Sequence, residues 1–294
     1  MNLREYLSQQ QQLIDATLDR WLPPETAPPE VIHRAMRYSL FAGGKRIRPI
    51  LCMAAAHAVS ERTEGVETAA CALELVHTYS LIHDDLPALD NDDVRRGKPT
   101  CHKMFGEAMA ILAGDALLTL AFRVLAEMEY PASERKVRMI LELARAAGTP
   151  HGMVAGQVED LEGEKKTPDS QLLDRIHRAK TGALIRASVR IGAIYAGASE
   201  EELCALSRYG EHVGLAFQIV DDLLDVEESS AALGKTAGKD AAQHKITFPA
   251  VYGREASHRM AEEELAKARL AVDMFGDRAG RLRELADLIV HRRA

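Results

Sequence analysis

Glu74-Leu75-Val76-His77-Thr78-Tyr79-Ser80-Leu81-Ile82-His83 is an apolar run with helical spacing, and it ends in Asp84-Asp85-Leu86-Pro87-Ala88-Leu89-Asp90. A second stretch has the same plan: Gly214-Leu215-Ala216-Phe217-Gln218-Ile219-Val220 runs into Asp221-Asp222-Leu223-Leu224-Asp225. Carboxylates set this close against apolar sequence repel one another. Two unit charges about 4 Å apart cost roughly 4 kcal/mol at an effective dielectric near 20. A divalent cation relieves the repulsion, and magnesium, a hard ion often shared with substrate phosphates, suits an all-oxygen donor set.

The two clusters differ in spacing. Asp221 and Asp225 are four apart, about 40° around an ideal helix, so both face one ion. Asp84 and Asp90 are six apart, about 120° around a helix, and a straight helix would keep them from a common ion. Pro87 resolves this. It lacks an N–H and clashes with the preceding turn, so the helix has to stop or bend there. The expectation is that regularity is lost between Asp85 and Asp90 and that Asp90 curls back toward Asp84. Solvated acidic faces alternate with apolar ones, and two clusters that each terminate an apolar run do not fit that pattern. A calcium loop starting at Asp90-Asn91-Asp92-Asp93 is excluded by Val94 at its fifth position and Arg95 where glycine is required.

Outward from these runs the apolar spacing stays helical. A first stripe, Leu3 to Trp21, stops at Pro23-Pro24. Further helices are predicted from near Pro29 to Gly43-Gly44, from Pro49 to about Val59, and over Val66–His83, Met109–Met128, Glu134–Gly148, His151–Leu161, Ser170–Ala196 and Glu200–Asp225. Two or three more close the chain. Asn91–His102 reads as a polar loop, Glu162–Ser170 as a charged turn, and Val226–His244 as a long mobile loop with Gly234 and Gly238. No alternating strand pattern, linker or 20–50-residue repeat stands out. The predicted fold is all-α, one domain over residues 1–294.

The chain has 294 residues and a net charge of −7, which speaks against general nucleic-acid affinity. Cys52, Cys71, Cys101 and Cys204 form no CxxC pair and read as thiols of a reducing compartment. Met1–Arg20 has no signal-peptide core. Met104–Phe122 is broken by Glu107 and Asp115, so no membrane span is predicted and the expected location is the cytoplasm.

Acidic metal sites imply an anionic ligand, and basic groups are present to match. Gly43-Gly44-Lys45-Arg46-Ile47-Arg48-Pro49 is a glycine-flanked basic turn suited to phosphate oxygens. Arg95-Arg96 follows the first acidic cluster, and Lys180-Thr181-Gly182 interrupts an apolar helix. Gly234-Lys235-Thr236-Ala237-Gly238-Lys239-Asp240 and Lys245 follow the second cluster. The glycine spacing there is wrong for a P-loop, and no Rossmann or HExxH motif occurs.

Together these residues resemble the trans-isoprenyl diphosphate synthases, most closely the bacterial farnesyl diphosphate synthases. The resemblance runs from about Leu40 to Pro249 and rests on the Gly43–Pro49 turn, both Asp-rich motifs, Arg95-Arg96, Gly156-Gln157 with Asp160, Lys180-Thr181-Gly182, and Phe217-Gln218. Ala155 stands where the family usually has a second glycine. The resemblance implies an isoprenoid synthase fold: a bundle of long helices around a central cavity, usually a homodimer. It implies three magnesium ions per active site, held by Asp84, Asp90 and Asp221, with Asp85, Asp222 and Asp225 in the same acidic walls. Lys45, Arg48, His77 and Arg96 would bind isopentenyl diphosphate; Arg95, Lys180, Lys235 and Lys245 would bind the allylic diphosphate. Thr181 and Gln218 would line the place where the cation forms.

The implied reaction is a head-to-tail condensation that starts with ionisation of the allylic diphosphate and needs no protein nucleophile. The residues five and four before the first motif, Tyr79 and Ser80, are the implied chain-length determinants. Tyr79 lies roughly 7.5 Å below Asp84 along an ideal helix but about 140° around it, whereas Ser80 is nearly in line. A tyrosine there points to a farnesyl product, with geranyl or geranylgeranyl diphosphate as alternatives. A class I terpene cyclase would not need the Lys45-Arg46-Ile47-Arg48 turn. A non-catalytic subunit of a heteromeric synthase would be expected to lose Asp-rich residues, and both sets are kept here.

Overall fold

The computed structural model describes residues 1–163, 169–227 and 245–292. It is all-α apart from one small ribbon. The described chain packs as two compact units, residues 1–50 with 64–132, and 51–63 with 133–294.

The first unit is built on α4 (Val66–Asp84), which buries Ala69, Leu73, Leu75, Val76, Thr78, Tyr79 and Ile82. Each large apolar side chain buried there contributes about 1.5–3 kcal/mol. Around it lie α1 (Leu3–Trp21), α2 (Glu30–Leu40), the opening turn of α3 (Ile47–Val59), α5 (Cys101–Phe105) and α6 (Glu107–Glu127). α1 starts with a reciprocal cap, in which Asn2 Oδ1 accepts from the Glu5 N–H and the Glu5 carboxylate accepts from the Asn2 N–H. α6 is long and apolar enough to cross a membrane by length and composition. In this unit it packs against α4, burying Ala110, Ala113, Gly114, Leu117, Ala121, Val124 and Leu125.

Asn91–His102 is more structured than a polar loop. β1 (Val94–Arg95) and β2 (Lys98–Pro99) form an antiparallel ribbon. Arg96 and Gly97 between them both have positive φ, 53° and 73°, as a tight two-residue hairpin demands. Two-residue strands are too short to leave an alternating pattern, which is why sequence periodicity missed them.

The second unit holds the rest of α3 with α7 (Ser133–Ala147), α8 (Met153–Gly163), α9 (Ser170–His177), α10 (Ala183–Ala196), α11 (Glu200–Glu227), α12 (Phe248–Tyr252), α13 (Arg254–Ala271) and α14 (Gly280–Val290). Leu172, Leu173, Ile176, Ile219, Leu223, Ile246 and Phe248 form one of its cores. Ser170–Ala196 is not one helix: Arg178–Gly182 is a π-helical turn between α9 and α10. Such turns insert an extra residue and concentrate at functional positions. Two close approaches hold it. A Cβ at Gly156 of α8 would lie 2.2 Å from the Lys180 backbone nitrogen, and one at Gly214 of α11 would lie 2.9 Å from Gly182 Cα. Of the expected loop at 226–244, Val226 and Glu227 belong to α11, and the remainder lies outside the described residues.

Candidate active site

In the first unit, α4 ends at Asp84 and the chain turns as Pro87 requires. The Asp90 N–H donates to the Asp84 carbonyl at 2.8 Å, and the Asn91 N–H donates to that of Leu86 at 3.1 Å. Residue 90 is thereby folded back on residue 84, and the expected loss of helix between Asp85 and Asp90 is met. Asp84 and Asp90 are half-buried. Asp85 is 3% exposed and is gripped by Arg95, with Nε at 2.7 Å and Nη2 at 2.6 Å from Oδ1. Burial raises the Asp85 carboxyl to about 6 in spite of that guanidinium. Asp85 and Arg95, read from the sequence as a metal ligand and a diphosphate ligand, are thus paired with each other here.

Lys45, Arg46 and Arg48 are indistinguishable by type, and the fold separates them. Arg46 turns inward. Its Nη1 donates to Glu74 Oε1 at 2.7 Å, Nε to Asp15 Oδ1 at 2.8 Å, and Nη2 to the Leu40 carbonyl at 2.8 Å. Those bonds hold it in left-handed backbone (φ 51°), which is unusual for a non-glycine residue. Lys45 remains exposed and Arg48 half-buried. Arg96 donates to the Gly43 carbonyl, so the hairpin and the glycine turn meet. A side chain at Gly44 would collide with the Arg96 guanidinium, 2.7 Å from a Cβ there. His77 stands among these groups. Its pKa is well below the usual histidine value, through burial first and then the fields of Arg48, Arg96, Arg95 and Arg46. With Arg46 held by Glu74 and Arg95 by Asp85, a neutral His77 beside Arg48 and Arg96 makes a basic setting suited to an anion.

Tyr79 is 7% exposed, with its ring edge-on to that of His83 at 5.4 Å. Burial raises its phenol pKa, with Asp84 and Asp115 adding to the effect. His83, unassigned from sequence, hydrogen-bonds through Nε2 with the Ile111 carbonyl at 3.1 Å and fits against Gly114. Ser80 Oγ donates to the His77 carbonyl at 2.8 Å.

In the second unit the π-turn presents two side chains. Lys180 Nζ reaches Asp160 Oδ2 at 2.6 Å. Thr181 Oγ1 donates to Gln218 Oε1 at 2.8 Å, Gln218 Nε2 donates to Asp222 Oδ1 at 2.9 Å, and the Phe248 N–H donates to Asp222 Oδ2 at 2.9 Å. Asp222, read from the sequence as part of the acidic wall, is 3% exposed and anchors Gln218 and α12. His177 Nε2 lies 3.4 Å from its carboxylate. Asp221 pairs with Arg292 at 2.5 Å. Asp225 is 4% exposed, and both its oxygens are buried without a hydrogen-bond partner among the described residues. Lys245 is half-buried, whereas Lys235 lies outside the described residues.

The buried, unsatisfied Asp225 oxygens and the all-carboxylate donors of both motifs suit a hard divalent cation. Among the described residues no group of three or more His, Cys, Asp or Glu side chains is arranged to hold one unaided.

The polyprenyl synthetase family model matches residues 29–274. The chain belongs to the polyprenyl synthetase family. It is similar to farnesyl diphosphate synthase of Geobacillus stearothermophilus, 48% identical over 85% of this chain and 84% of that one. It is equally similar to the chloroplastic geranylgeranyl pyrophosphate synthase 11 of Arabidopsis thaliana, 47% identical over 99% of this chain and 82% of that one. A solved geranyltransferase from Helicobacter pylori, complexed with magnesium and isoprenyl diphosphate, superposes with a TM-score of 0.85 at 30% identity, covering 97% of this chain and 95% of that one. The chain is therefore a prenyltransferase with the isoprenoid synthase fold, and isoprenyl diphosphates are its substrate class.

Sequence reasoning missed the holding residues: Glu74 and Asp15 behind Arg46, His177 behind Asp222, and Arg292 on Asp221. Glu74 alone carried a signal, as a carboxylate inside an apolar helix.

Proposed function

We propose that this polyprenyl synthetase joins isopentenyl diphosphate head to tail to dimethylallyl and then geranyl diphosphate, releasing mainly farnesyl diphosphate. The observation that carries the reading is the meeting of the glycine-flanked basic turn and the Arg95-Arg96 hairpin, where Arg96 donates to the Gly43 carbonyl and Arg95 grips Asp85 of the first acidic motif. Lys45, Arg48, His77 and Arg96 hold isopentenyl diphosphate there. Lys180, Lys235 and Lys245 place fixed charge on the allylic diphosphate. Magnesium, proposed as three ions held through Asp84, Asp90 and Asp221 with Asp225, supplies Lewis-acid neutralisation of the leaving group when bound. Each ion needs only one or two carboxylates from the protein, because substrate phosphate oxygens complete its shell.

The cation formed at the allylic carbon is attacked by the double bond of isopentenyl diphosphate, and the proton then lost passes to the departed diphosphate. Thr181 serves this step because its hydroxyl proton is committed to Gln218, which leaves oxygen lone pairs for a positive centre. Asp222 accepts from the Gln218 amide, so Oε1 faces Thr181. Fixed dipoles of this kind cost no reorganisation when charge appears.

Tyr79 supports the farnesyl product, since its ring is buried on α4 below the first motif. The further proposals are a single catalytic domain, a homodimer and a cytoplasmic location. Exposed Ile111 and Leu112 on α6 favour association, and the free thiols Cys52, Cys71 and Cys101 favour a reducing compartment. The test is product analysis after incubation with isopentenyl diphosphate, each allylic starter and magnesium. Farnesyl diphosphate as the main product is expected. Mainly geranylgeranyl diphosphate would refute the chain-length reading, and turnover of an allylic diphosphate without isopentenyl diphosphate would refute the condensation.

A further inference from the structure

Arg292 stands two residues beyond the end of α14 and reaches back to the second acidic motif. Its Nη2 donates to Asp221 Oδ1 at 2.5 Å and to the Phe217 carbonyl at 3.1 Å. Its guanidinium carbon lies 3.9 Å over the centroid of the Phe217 ring. The side chain is 12% exposed, against 44% for Asp221. Arg292 Nε is buried without a hydrogen-bond partner among the described residues. The guanidinium is thus drawn out of water onto a carboxylate and an aromatic face, with one N–H left unsatisfied.

Arg292 also lines a groove of about 630 Å³ together with Glu227, Glu262, Glu263 and His291. Glu227 already holds His258 and Glu262 holds His291, and the three carboxylates together give the groove a negative lining that attracts a displaced guanidinium. A divalent ion at Asp221 and the guanidinium would contend for the same oxygen lone pairs. We infer that Arg292 is a resident counter-ion of Asp221, displaced toward the groove when the metal binds, and that it lowers the metal affinity of the second motif. The inference rests on the prenyltransferase reading, which gives Asp221 to the metal. Its physical content is competition: a ligand that must displace a bound partner has its affinity reduced by the fraction of sites left open.

The experiment is calorimetric titration of the full chain with Mn2+, without substrate. Arg292→Leu keeps an apolar contact with Phe217 and removes the charge. It is expected to bind Mn2+ about tenfold more tightly than the parent, whereas Arg292→Lys stays within about threefold of it. Asp221→Asn is the control and weakens binding. A second readout keeps the arginine in place: in Phe217→Trp the indole lies under the guanidinium, and its emission is expected to shift as Mg2+ is added. Equal Mn2+ affinity in Arg292→Leu and the parent, with Asp221→Asn still weakening it, overturns the inference and leaves the prenyltransferase reading standing. Should Arg292→Leu fail to fold, emission of the Phe217→Trp chain that ignores Mg2+ overturns it equally. Mn2+ binding indifferent to Asp221→Asn overturns both the inference and the assignment of Asp221, a result that product analysis would reveal independently.

Discussion

Replacing Arg46 by alanine is expected to be far more damaging than replacing Lys45, its neighbour in the same basic turn. Arg46 is 3% exposed, and its partner Glu74 has a side chain only 2% exposed. Burial opposes the arginine's charge, but Glu74 and Asp15 outweigh it, so its pKa stands above the ordinary value. Arg46→Ala strands a carboxylate in the core of α4, and breaking a buried pair from one side costs about 3–5 kcal/mol. The Asp15 contact, with a side chain 36% exposed, adds at most about 1 kcal/mol. The expected loss is about 4 kcal/mol, or roughly 8 °C in Tm at about 2 °C per kcal/mol for a chain of this size. The single tryptophan, Trp21, lies on α1 in the first unit, so its fluorescence during urea unfolding reports that unit. The double variant Arg46→Met with Glu74→Leu removes both charges and is expected to regain most of the loss. An Arg46→Ala cost below about 1 kcal/mol, or a double variant as unstable as the sum of the singles, would show that the pair does not hold the turn.

Three further outcomes follow from the geometry. Gly156→Ala pushes a methyl against the Lys180 backbone, 2.2 Å from its nitrogen. A displacement of about 1 Å there should lower kcat by about 100-fold while the Trp21 signal stays unchanged, and a near-native kcat refutes the coupling. His77 has a lowered pKa in the folded chain, so below pH 6.5 the unfolded chain takes up a proton that the folded chain refuses. Stability is full above that pH and falls by up to about 1.4 kcal/mol per unit below it; His77→Gln should flatten the slope measured by denaturation at pH 5.5 to 7. Tyr79→Ala removes the buried ring below Asp84 and should lengthen the product on chromatography; an unchanged product distribution removes Tyr79 from chain-length control.

Much of the fold and part of the site was legible because the signals are local. Pro87 breaks α4 wherever α4 is placed, and the Asn2–Glu5 cap needs only residues three apart. The apolar period of Leu73, Leu75, Val76 and Ile82 is a property of the chain itself. Local signals could not bring Thr181 and Gln218 into one site, since 37 residues separate them, and only the family resemblance did so.

What the sequence determined alone is that long apolar helices end in carboxylates and that basic turns accompany them. Tertiary structure decided which partner each charge takes. Arg46 turns inward to Glu74, Asp85 is taken by Arg95, Asp222 holds Gln218 and Phe248, and Arg292 crosses 71 residues to Asp221. Side chains of one type carry the same charge in any pattern. Burial and the partner brought alongside by a distant helix decide the use of that charge, and neither is encoded by spacing along the chain.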